Sequence, residues 1–248
     1  MPRSISMQIE HEFALLYKRC QPYTMVDLQR CHNLYTATRY VIEHAIPGDL
    51  VECGVWRGGC SMLMAMVAAA RHATRDLLLF DTFTGMTRPS EHDINAKGEP
   101  AEGKWQAGQK DEHNEWCFAP LDEVRQNMAR TGYDPQRVHY IRGPVEETLP
   151  HAAPEQIAVL RLDTDFYRST YHELVHLYPR LAVGGVLILD DYHHWQGQQK
   201  ALQQYFSEQG IGMMLTYAST SAVGVKTAPV GLSRQERKDV PVTVSQAG

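Results

Sequence analysis

Five short apolar runs, at 49–53, 76–81, 137–142, 157–162 and 185–189, constrain this chain most. Helical periodicity covers 59–72, 119–131, 168–182 and 197–209 and alternates with them. Strands separated by helices need crossover connections, which predict parallel pairing within one sheet. An earlier helix is expected over 24–46, stopped by Pro47-Gly48. Two further strand-like runs, 211–217 and 222–226, lie about a Ser/Thr turn and predict an antiparallel ending. The expectation is an α/β fold with helices on both faces of a mostly parallel sheet.

The 248 residues suit a single domain. It has an N-terminal helical extension over 1–46 and a loose polar tail over 229–248. The segment 84–118 breaks the alternation: it is rich in Gly, Pro and charge, with Trp105, Trp116 and Phe118 interspersed. So long an insertion in a compact domain reads as a lid or a mobile loop, and its aromatics favour a lid.

With 24 basic against 29 acidic residues, the net charge of −5 argues against nucleic acid as a partner. The longest apolar run, Met62 to Ala70, falls far short of a membrane span. The start Met-Pro-Arg, with Glu10 and Glu12 soon after, does not read as a signal peptide, so a cytoplasmic protein is expected. Five cysteines without a Cys-x-x-Cys suggest neither a disulfide framework nor a zinc knuckle.

Two groups of residues carry chemistry. In the stretch VECGVWRGG, Glu52 ends a strand and glycines 54, 58 and 59 turn the chain into a helix. Glycine lets the backbone approach a ligand, and a helix N-terminus favours an anionic group. The spacing is not that of a dinucleotide fingerprint, so alone it also fits a structural turn. Asp81, at the end of the next strand, strengthens it, because a carboxylate there can accept both ribose hydroxyls of a nucleoside.

The second group is four carboxylates, Asp163 and Asp165 after the 157–162 strand and Asp190 and Asp191 after the 185–189 strand. Open α/β sheets bind ligands at that edge. In extended chain Asp163 and Asp165 point the same way. So many like charges call for a hard divalent cation with oxygen ligands, Mg²⁺ before Ca²⁺. His193 and His194 follow the second pair and suit a pocket wall, a base or simple loop packing. His172-Glu173-Leu-Val-His176 matches the H-E-x-x-H zinc pattern. It has no third ligand nearby, and Leu174, Leu177 and Leu181 on the opposite face put both histidines towards solvent.

The chain resembles the macrocin O-methyltransferase family of metal-dependent sugar methyltransferases in macrolide antibiotic biosynthesis. The stretches that carry the likeness include ECGVWRGG at 52–59, FDTFTGM at 80–86, RGPVEETLP at 142–150, RLDTDFY at 161–167 and GGVLILDDYHHWQGQQKA at 184–201. The resemblance spans about 24–210 and takes in the H-E-x-x-H match. It implies a class I, Rossmann-like methyltransferase fold of seven strands, the last antiparallel. It implies S-adenosyl-L-methionine and Mg²⁺ as cofactors, with a small-molecule glycoside as acceptor.

Asp163, Asp190 and Asp191 would hold the metal, and Asp165 would be the general base. Glu52, Gly54, Trp56, Gly58 and Ser61 would surround the methionine part of the cofactor. Asp81 with Thr82 would meet the ribose, and Pro144, Val145 and Glu146 the adenine. Cys60 stands where serine is expected, which passes a hydroxyl contact to Ser61 or removes it. Trp105, Trp116, His193 and His194 are candidate acceptor contacts. The sequence leaves open a catechol-type methyltransferase and a non-catalytic nucleoside-binding protein. It also leaves open the oligomeric state, a homo-oligomer included.

Overall fold

A computed structural model describes residues 10–230. Apolar, largely buried strands build the centre, β1 (Asp49–Cys53), β2 (Leu77–Asp81), β4 (Ile157–Leu162) and β5 (Leu181–Leu189), with the half-exposed strand β3 (Val138–Arg142) at one edge. They pair in parallel, and β6 (Thr216–Ala218) and β7 (Ser221–Val225) complete a seven-stranded sheet of order β3-β2-β1-β4-β5-β7-β6. Only β7 runs against the others, pairing antiparallel with both β5 and β6.

Alternate residues along each strand feed two cores. Leu50, Leu79, Ala158 and Ile188 pack on one face, with α2 (Leu28–Glu43) and α3 (Gly59–Ala70). Val51, Phe80, Leu160 and Leu187 pack on the other, with α7 (Tyr167–Leu177) and α8 (Gln196–Glu208). Helix α3 is apolar all round and almost wholly buried, as a helix beneath further helices must be. Helices α1 (His11–Cys20) and α5 (Leu121–Ala129) lie outside it. Among the described residues, no helix is long and apolar enough to cross a membrane.

Three sequence expectations need correction. The helix expected over 24–46 is α2, which starts at Leu28: Asp27 caps it, accepting from the backbone N–H groups of Gln29 and Arg30. That leaves Thr24, Met25 and Val26 free to form a wall of the cleft described below. Helix α7 stops at Leu177, because Pro179 lacks the N–H that would continue it; Leu181 already pairs with Ile157 in the sheet. The strand expected over 211–217 shrinks to β6, since Met213 and Leu215 instead pack over Gly224.

The insertion at 84–118 carries helix α4 (Glu102–Gly108) and is tied to the domain. Asp93, 1% exposed, accepts from Ser90 and from the backbone N–H of Tyr167 at the start of α7. Trp116 packs with Phe166 and Trp195 in a small separate core. The tail expected from 229 lies almost entirely outside the described residues.

Candidate active site

The strand order reverses between β1 and β4, so the chain leaves their carboxyl ends in opposite directions and opens a crevice. A cleft of about 930 Å³ lies there. On one side Gly54, Trp56 and Gly58 turn β1 into α3 with φ values of 84°, 46° and 89°. A Cβ on Gly54 would lie 2.2 Å from the carbonyl oxygen of Asp163, so only glycine lets the two loops meet. Asp81 holds the turn: Oδ2 accepts from the N–H groups of Val55 (2.7 Å) and Trp56 (3.1 Å), and Oδ1 from Phe83 (2.7 Å). Thr82, Pro144, Val145 and Glu146 continue the wall.

Across the cleft stands the acidic cluster. Carboxylate oxygens of Asp163, Asp165 and Asp191 all lie within 4.8 Å of one another. The route differs from simple strand alternation, because Asp165 has left the strand with φ 66°. Asp190 is 2% exposed and turned to two arginines, Arg30 Nη1 at 2.6 Å and Arg161 Nη2 at 2.7 Å.

A family model for macrocin O-methyltransferase (TylF) matches residues 18–226. The chain belongs to the macrocin O-methyltransferase family. It is therefore an S-adenosylmethionine-dependent O-methyltransferase. It is 34% identical over 218 residues to a tetracenomycin rhamnosyl 4'-O-methyltransferase from Streptomyces olivaceus, covering 84% of this chain and 80% of that one. It is 32% identical to mycinamicin III 3''-O-methyltransferase of Micromonospora griseorubida, over 76% of this chain and 72% of the relative. The solved O-methyltransferase NovP superposes with a TM-score of 0.73 at 30% identity, over 83% of each chain.

The electrostatics of this methyltransferase rest on Arg161, which sequence reasoning overlooked. It is 1% exposed, on the central strand β4, and reaches Glu52, Asp163 and Asp190. An arginine inside an otherwise apolar run was the signal that could have found it. Arg30 left no such signal: it comes from α2, 160 positions away from Asp190. Gln198 on α8 was also missed; fully buried, it accepts from the N–H of Asp191 at 3.0 Å. Burial pushes the Asp165 carboxyl well above its usual range, with neighbouring Asp191 adding to it. Asp163 is pushed up likewise by burial and by Asp190 and Asp191, with Arg161 opposing. Burial also raises Asp81, against its three backbone donors.

Ser61 sits behind the cleft and donates to Glu52, while Cys60 lines the cleft 3.5 Å from Thr24 Oγ1. Trp105 and Trp116 stay outside the cleft wall: Trp105 Nε1 donates to the Met86 carbonyl, and Lys104 Nζ sits 4.0 Å over the Trp116 ring. His193 and His194 are exposed and also outside it, His193 against Tyr217.

The H-E-x-x-H histidines are half-buried rather than turned to solvent, because His172 packs under the Leu149 carbonyl. Their rings lie 4.4 Å apart, and burial lowers the His176 pKa. Glu173 between them points the opposite way, into the core, and among the described residues no third ligand joins the two histidines. Replacing both histidines with glutamine should leave methyl transfer nearly unchanged. A large loss, with zinc in the wild-type protein by mass spectrometry, would contradict this.

Proposed function

We propose that this enzyme methylates a sugar hydroxyl of a glycosylated natural product in the manner of a macrolide, with Mg²⁺ bound at the acidic cluster. The carrying observation is that three carboxylates crowd within 4.8 Å of one another on the cleft that the glycine turn also lines. The tetracenomycin and mycinamicin relatives, one named for the rhamnosyl group on its substrate, support the acceptor class.

The donor set fits a hard divalent ion. Among the described residues, Arg30 and Arg161 are the ion-pair partners of Glu52, Asp163, Asp190 and Asp191, and Asp165 has none. All the cluster ligands are oxygens. Asp163, Asp190 and Asp191 would hold the ion, Asp190 after yielding an arginine contact. When bound, such an ion makes a coordinated hydroxyl more acidic. Asp165 takes the hydroxyl proton as the acceptor oxygen attacks the sulfonium methyl, and the S–CH₃ bond breaks to leave a neutral thioether. Burial and the neighbouring Asp191 raise its pKa, the direction that makes a carboxylate a stronger base. Glu52, Gly54 and Trp56 would face the methionine part of the cofactor, Asp81 and Thr82 the ribose, and Pro144, Val145 and Glu146 the adenine. Gly58 and Ser61 would act from behind, shaping the turn and holding Glu52.

Labelled S-adenosylmethionine with a panel of glycosides and catechols, with and without EDTA, tests the reading. Methyl transfer to a glycoside that EDTA abolishes and Mg²⁺ restores is expected. Transfer to catechols alone would overturn the acceptor, and indifference to EDTA the metal. Asp81→Asn should weaken cofactor binding by about 1.5–3 kcal/mol, since one amide oxygen cannot replace both carboxylate oxygens. Unchanged affinity by calorimetry would take Asp81 out of the cofactor site.

A further inference from the structure

Glu173 is the part of the H-E-x-x-H stretch without a role so far. It is fully buried on α7, and its carboxyl oxygens lie 3.0 and 3.2 Å from Thr164 Oγ1. It also meets the thiol of Cys53, the last residue of β1, and feels the charge of Glu146. Thr164 stands between Asp163 and Asp165 and lines the cleft. The Glu173 carboxyl therefore joins the end of β1 to the loop after β4, at the reversal point of the sheet.

That loop needs holding. Asp165 adopts φ 66°, in the left-handed region that residues other than glycine seldom occupy. Such a conformation persists only where the surroundings over-determine it. The backbone supplies two restraints, Asp163 N–H to the Cys53 carbonyl and Phe166 N–H to the Thr164 carbonyl, both at 2.7 Å. Ser169 adds a weak contact to the same Thr164 carbonyl at 3.5 Å. Among the described residues, the side chain of Thr164 is held by Glu173 alone. A carboxyl is costly in an apolar core, and leucine or methionine would pack there without that cost.

We propose that Glu173 is a positioning residue for methyl transfer: it grips Thr164 and so aims Asp163 and Asp165 into the cleft. The inference rests on the reading of Asp165 as the base. Burial raises the Glu173 carboxyl to about 8, so it is mostly protonated at neutral pH and glutamine is a close substitute.

The test compares Glu173→Gln, Glu173→Met, Thr164→Val and the Glu173→Met/Thr164→Val pair, with Asp165→Asn alongside. Glu173→Gln keeps an acceptor for the Thr164 hydroxyl and should hold kcat near wild type. Glu173→Met and Thr164→Val should each lower kcat about ten- to hundredfold, the scale of a sub-ångström to 1 Å misplacement. Cofactor affinity by calorimetry should not move in either. The double variant should fall no further than the worse single one, because both remove the same bond. Full activity in Thr164→Val overturns the inference, and so do losses that multiply in the double variant or a Glu173→Gln as poor as Glu173→Met. Thr164→Val exchanges one hydroxyl for a methyl group on a cleft-lining residue, so the test stands even if Glu173→Met fails to fold. An inactive Asp165→Asn beside an unaffected Thr164→Val overturns this inference alone; an active Asp165→Asn overturns the base reading and this inference with it.

Discussion

Asp165→Asn is expected to lower kcat by about 10²–10⁴, the usual contribution of a general base, with cofactor and Mg²⁺ binding nearly intact. The amide keeps the shape of the carboxylate and removes its ability to take a proton. Added Mg²⁺ should not restore the rate. Asp163→Asn should behave differently, because it removes a charged ligand from the proposed hard-cation site. Its Mg²⁺ affinity should fall, and excess Mg²⁺ should recover part of the activity. The measurement is kcat against Mg²⁺ concentration for each variant, with metal affinity determined separately. Rescue of Asp165→Asn but not of Asp163→Asn would reverse the two roles. Full activity in both would move the base elsewhere.

Arg161→Met should cost about 3–5 kcal/mol of folding stability, the scale for removing one partner of a buried charge network. The guanidinium is 1% exposed and serves Glu52, Asp163 and Asp190 together. Methionine fills much of the volume but leaves those carboxylates without their shared counter-charge. The loss should depend on pH. Glu52 and Asp163 already have raised pKa values in the folded protein, so their favourable contribution is present at low pH and disappears as pH rises through those values. Without Arg161 they rise further, so the variant should fall further behind wild type at pH 8 than at pH 5.5. Urea unfolding at both pH values, in EDTA, checks this. A loss below 1 kcal/mol, or one that is larger at low pH, would show that Arg161 does not carry the cluster's charge.

Much of the molecule was legible along the chain. The runs at 49–53 and 157–162 are apolar because both faces of a central strand are covered, and that pattern needs no tertiary information. The same periodicity placed Asp163, Asp165, Asp190 and Asp191 at strand ends, and therefore at the edge where such sheets bind ligands. Errors came where a local signal competed with pairing. The apolar positions Leu181 and Ala182 fit the period of α7, but Pro179 interrupts the helix and the sheet claims them. The insertion at 84–118 looks loose because its glycines and charges are local properties, whereas Asp93 and Trp116 anchor it to residues far along the chain, Tyr167, Phe166 and Trp195.

The sequence by itself determined the layered α/β architecture, the glycine turn after β1 and the gathering of four aspartates, since each follows from spacing of 2 or 3.6 residues and from strand ends. Only the tertiary structure decided how those charges are divided. It turned Asp190 to Arg30 and Arg161, left Asp163, Asp165 and Asp191 facing one another, and aimed Glu173 inward at Thr164 while its histidine neighbours stayed half-buried near the surface. The physical reason is that a carboxylate's partner is whichever opposite charge or donor lies within a few ångströms. In a parallel sheet the crossovers bring together groups such as Arg30 and Asp190 that lie far apart in the chain.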